Sequence, residues 1–105
     1  MESTTIPDIT AEVEVPGDGT LSRVLYKDDQ IRVVAFAFDA GQELTEHTAA
    51  VPAIIQVLQG RFRITLSERV VDDAGAAFWA HLPAGLPHSV LAIEPGVLLL
   101  TLLRN

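Results

Sequence analysis

The chain reads as an all-β sandwich or barrel, and three observations predict it. Its apolar residues fall in short runs of β-branched, aromatic and aliphatic residues closed by Gly, Pro and Asp. At no point do they recur at helical spacing over a long window. The run Arg61-Phe62-Arg63-Ile64-Thr65-Leu66 alternates strictly, with Phe62, Ile64 and Leu66 on one face and Arg61, Arg63 and Thr65 on the other.

Residues 1 to 20 are polar and broken by Pro7, Pro16, Gly17 and Gly19; they read as an arm, with a short strand over Ala11–Val15. The β-domain then occupies 21–105. Strands are predicted over 21–26, 31–38, 53–58 and 61–66. Turn chemistry separates the first two at Lys27-Asp28-Asp29-Gln30, ends the second at Asp39-Ala40-Gly41, and closes the third at Gln59-Gly60. Asp72-Asp73-Ala74-Gly75 is read as a further turn. Phe78–Leu82 then leads into Pro83-Ala84-Gly85-Leu86-Pro87-His88, where two prolines fix φ and Gly85 supplies backbone freedom. Such a constrained corner aims His88 at the start of the run Val90–Ile93. Glu94-Pro95-Gly96 makes the last turn before Val97–Leu103.

With 105 residues the chain holds one domain with a genuine core. There is no cysteine, which removes disulfides and thiolate metal sites. The N-terminus lacks a basic region followed by an apolar run, so no signal peptide is read and a cytoplasmic location is expected. The 14 acidic and 7 basic side chains give a formal charge of −7, which repels nucleic acid and anionic membrane surfaces alike. Hydrophobic residues make up 49% of the chain, and the runs 31–38 and 97–103 are apolar on both faces. Both faces must therefore be covered. The simplest cover is a second copy packed sheet to sheet, a homodimer; the alternative is the N-terminal arm or loops.

Two stretches carry a family resemblance. Gly41, five residues, His47 and later Gly60 resemble the first motif of the cupins, which runs glycine, five residues, His-x-His, three or four residues, Glu, six residues, glycine. Pro83, Gly85 and His88 match the second, Pro-x-Gly followed by His. The two span roughly Gly41 to Ala92. The resemblance implies a cupin-type double-stranded β-helix, or jelly-roll barrel, of the small single-domain RmlC-like kind. In that family two histidines and the glutamate of the first motif, with the histidine of the second, commonly hold a divalent metal. Here the second histidine falls on Ala49, the glutamate on Ala53, the opening glycine of the second motif on Ala77 and its closing asparagine on Ala92. Two of four implied metal ligands survive, His47 and His88.

His81 is the nearest replacement, across the Pro-Ala-Gly corner, though it also reads as an ordinary half-buried strand histidine. Glu43 would have to fold back from a loop, while Glu46 looks away from its neighbour His47. Gln56 falls by parity on an outer or dimer-facing position. The expected cofactor is none, or one weakly bound divalent metal, since two imidazoles without a carboxylate leave the dication's charge uncompensated. The expected site is a pocket in the barrel lined by Ile55, Val57, Phe62, Ile64 and Trp79, with His47 and His88 donating hydrogen bonds to an apolar or weakly polar small molecule. Trp79 reads equally as a core residue, and Arg61 and Arg63 as a solvated face paired with acids. Two other functions fit the same residues. One is an enzyme: a metal-assisted oxygenase or isomerase, or a metal-free enzyme using histidine as general base. The other is a structural or partner-binding jelly roll whose interior is filled by side chains.

Overall fold

A computed structural model describes residues 1–104. Nine antiparallel strands follow one another: β1 (Thr20–Lys27), β2 (Ile31–Phe38), β3 (Glu43–His47), β4 (Ala53–Gln59), β5 (Phe62–Leu66), β6 (Arg69–Ala74), β7 (Trp79–Leu82), β8 (His88–Ala92) and β9 (Gly96–Leu103). They form a five-stranded sheet ordered β1-β2-β9-β4-β7 and a four-stranded sheet ordered β3-β8-β5-β6. The inner faces of the two sheets make the core. Phe38, Phe62 and Ile64 are 0% exposed; Ile55, Val57, Leu82 and Leu98 are 1% exposed. Phe38 packs edge-on against Phe62 with ring centroids 5.4 Å apart, tying the sheets together.

The predicted strand over 31–38 has the observed bounds, and the six runs 21–26, 53–58, 61–66, 78–82, 90–93 and 97–103 match observed strands within two residues. Two strands are additional. Glu43–His47 is short and mostly exposed, so no apolar period marks it. Arg69–Ala74 runs through Asp72 and Asp73, which were read as a turn; as an edge strand it shows its acids to solvent, where Asp73 receives a bidentate pair from Arg61 at 2.6 Å and Asp72 lies 3.5 Å from Arg63. The expected strand at Ala11–Val15 is absent. A 3-10 turn covers Ile9–Glu12 instead, because Asp8 caps it by accepting from the Thr10 amide.

The outer face of the large sheet explains the doubly apolar strands. Ala35, Ala37, Val97 and Leu99 alternate with the core residues and point outward, yet none exceeds 7% exposure. The arm runs beside Leu99 on this face. Ile6 and Ile9 wall a groove of about 500 Å³ with Ile31, Val33 and Leu99, and Arg23 fastens the arm by donating to the Glu12 carbonyl at 2.9 Å. Within one chain the arm therefore supplies part of the cover for which a second copy was the simpler expectation.

Glycines bend the chain where side chains cannot. Gly60 has φ +79°, and a Cβ there would lie 2.5 Å from the Pro95 carbonyl oxygen and 2.7 Å from the Gly96 Cα. Gly85 has φ +82° with open space around it. Ala77 has φ +77°, a non-glycine in left-handed backbone at the position where the cupin motif has glycine. In urea denaturation, Gly85→Ala is expected to cost about 1 kcal/mol through backbone strain alone. Gly60→Ala adds the clash and is expected to cost roughly 3 kcal/mol or prevent folding. Ala77→Gly is expected to stabilise by about 0.5–1 kcal/mol.

Candidate functional site

His47 ends β3 and His88 begins β8, and the two are direct cross-strand partners. Simple alternation does not put them together. Leu44 pairs with the inward Val90, so His47, three residues on, belongs on the outer face. A β-bulge between Leu44 and His47 inserts one residue, resets the parity and turns His47 to the inner face beside His88. The ring centroids are 4.1 Å apart and the planes tilt by 58°.

Each ring is held the same way. Nδ1 of His47 donates to the Thr45 carbonyl and Nδ1 of His88 to the Leu86 carbonyl, both at 2.8 Å. A carbonyl only accepts, so in the neutral rings the proton sits on Nδ1 and Nε2 carries a lone pair. This reverses the expected donor role: toward a neutral-pH ligand both histidines are acceptors. His88 is only 4% exposed, yet none of the buried side-chain nitrogens or oxygens is without a partner, which leaves its Nε2 open to the mouth.

The rest of the mouth follows from register, since directly opposed residues share a face. Leu66 is opposite His88, and Arg69 opposite Leu66, giving the row His47–His88–Leu66–Arg69 across the small sheet. In the large sheet Ala53 stands opposite both Leu82 and Leu102. The loops are tied above: the Gly85 amide donates to the Ala49 carbonyl, and the Ser67 amide to the Pro87 carbonyl, each at 2.8 Å. Leu66, Arg69 and Leu102 escaped the sequence reading because their place at the mouth depends on strand pairing. Only the alternation of Leu66 with Phe62 and Ile64 hinted at it.

Several expectations are corrected. His81 pairs with Ile54 and Trp79 with Gln56, all on the outer face of the large sheet, so His81 cannot approach His88. Trp79 is 56% exposed, neither pocket wall nor core. Glu43 is opposite the outward Leu91 and does not fold back. Ile55, Val57, Phe62 and Ile64 point inward but are sealed in the core and line no pocket. Gln56 is outward and Arg61 and Arg63 meet acids, as expected.

A cupin metal set is not complete here. Two imidazoles stand together with no carboxylate, and no group of three or more His, Asp or Glu side chains suited to a metal occurs among the described residues. Methyl groups occupy the remaining two motif positions, Ala49 and Ala53.

No family model matches the chain, and no curated protein sequence does. Solved structures do match. A conserved protein of unknown function from Streptococcus pyogenes aligns over 100% of this chain and 91% of its own, with TM-score 0.86 and 28% identity. A cupin superfamily protein from Desulfitobacterium hafniense aligns over 100% and 94%, with TM-score 0.86 and 20% identity. An RmlC-like cupin from Desulfovibrio desulfuricans gives 98% and 96%, TM-score 0.80 and 24% identity. The chain is a two-sheet antiparallel jelly roll with a histidine pair at one mouth. Its fold is that of the small RmlC-like cupins. Among the described residues no helix is long and apolar enough to cross a membrane.

Burial holds the His88 imidazole below its ordinary value of 6.5; the nearby His47 charge lowers it further, and the Leu86 carbonyl partly offsets both. The fold therefore favours neutral His88. That contribution is fully present above about pH 6.5 and is lost as pH falls through the depressed folded value, because the unfolded chain takes the proton first. The urea midpoint is expected to fall between pH 7 and 5.5, and His88→Gln to flatten that slope.

Proposed function

We propose that this chain is a small-molecule-binding cupin-fold protein whose site is the barrel mouth, with His47 and His88 as its polar groups. The observation supporting this is the bulge that turns His47 inward against His88. A bulge at a barrel rim that re-aims one side chain beside an uncommon partner is a functional device more often than a packing one. Leu66 and Leu102, both only partly buried, give the rim an apolar character suited to an apolar or weakly polar ligand. The site is shallow because the barrel below is full. That filled interior favours the second reading, a structural or partner-binding jelly roll, for which the histidines would serve only the rim.

A metal-dependent oxygenase or isomerase is less well supported, since the donor set lacks a carboxylate and a third ligand. Elemental analysis of protein purified without chelator or affinity metal is expected to find no stoichiometric divalent metal. A stoichiometric metal lost in both His47→Ala and His88→Ala, and kept in His81→Ala, would replace the binding reading with the metal one. A small molecule that co-purifies with the chain and is lost in both rim variants supports the proposal. Unchanged small-molecule content favours the structural reading.

We also propose that the chain forms a homodimer through the strip of outer face beyond the arm, where exposed Trp79 stands beside Ile54 and Gln56. Exposed tryptophans of this kind anchor interfaces. Sedimentation is expected to show a dimer that Trp79→Ser converts to monomer; a monomer in both forms contradicts this.

A further inference from the structure

Resting on the reading of the mouth as the binding site, we infer that its ligand presents two adjacent N–H or O–H donors on an apolar body, as an amidine or a vicinal diol does, and that carboxylates and phosphates are not recognised by the histidine pair. The argument is one of hydrogen-bond inventory. Each imidazole has one proton when neutral, and in both rings a main-chain carbonyl already takes it. Neither ring can satisfy the other, because neither has a donor left. With centroids 4.1 Å apart, the two rings stand close enough for one small forked ligand group to reach both. Water can satisfy them singly. A ligand bearing two donors satisfies both together and leaves its apolar body against Leu66 and Leu102.

An acceptor-only anion meets two lone pairs and gains nothing there. The positive group in the row, Arg69, is separated from His88 by Leu66, so an anion drawn to it leaves the histidine nitrogens untouched. Specificity of this kind is sharp, because a site built for one hydrogen-bond polarity leaves buried groups unpaired with the other.

The test uses the full chain with 15N-labelled histidine, treated with chelator, at pH 8 and about 0.5 M sodium chloride to screen the net negative charge. Two probes of matched shape are compared: benzamidine, a fork of N–H donors on a phenyl ring, and benzoate, the same skeleton with acceptors only. Both rings are expected to carry the proton on Nδ1. Benzamidine is expected to shift Nε2 of His47 and His88 at a concentration at least tenfold below any benzoate effect, and His47→Phe or His88→Phe to abolish that effect. A proton on Nε2 of either ring overturns the inference, as does a benzoate effect on the ring nitrogens equal to or stronger than benzamidine's. Failure of benzamidine to move them overturns it too. The two levels separate cleanly. Benzoate preference abolished by the substitutions leaves the mouth as the site and removes only the donor rule; probe binding that survives both substitutions removes the mouth reading as well.

Discussion

One extra residue in β3 is the constraint on which the site depends. Without the bulge between Leu44 and His47, alternation places His47 in solvent and His88 alone among apolar residues. With it, two strands that share few apolar contacts bring two imidazoles to one point. The bulge also accounts for the ring orientation. His47 binds the carbonyl two residues back, as His88 does beyond the Pro87 corner, so two different backbone irregularities deliver the same tautomer. A bulge exposes unpaired backbone, and here the Thr45 carbonyl it frees is the acceptor that fixes the ring.

The barrel beneath serves as a rigid mount. Its interior is closed by Phe38, Phe62, Ile64 and Leu98, and the loops around the mouth are cross-tied through Gly85 to Ala49 and Ser67 to Pro87. Close packing below and hydrogen bonds above leave the His pair little room to move. The same economy shows on the outside, where the arm flanks Ile31, Val33 and Leu99 and is fastened through Arg23. The acidic surface is managed locally, by pairs such as Arg61 with Asp73 and Glu94.

Much of the fold was legible in the sequence because it rests on short-range signals. The apolar run 31–38, the alternation of 61–66 and the Pro83–Pro87 corner each fix their element without knowledge of its neighbours. What escaped depends on pairing. Glu43–His47 has a single apolar residue, Leu44, and so no alternation to read, and Arg69–Ala74 hides a strand beneath turn-forming aspartates. Trp79 and His81 were placed wrongly because β7 is four residues long, too short to show which parity faces in; only its register with β4 decides. His47 and His88 came from their spacing against the cupin motifs, whereas the proton positions that make them acceptors follow from carbonyls that no spacing reveals.

The convergence of the two imidazoles is the claim beneath all else, and proton–proton cross-relaxation in solution measures it directly. A strong nuclear Overhauser effect between ring protons of His47 and His88, with none from either to His81, is the predicted result. Absence of the His47–His88 effect, with contacts from the His47 ring to the outward Ser89 side chain instead, would show that the bulge does not turn the ring inward and would contradict the account.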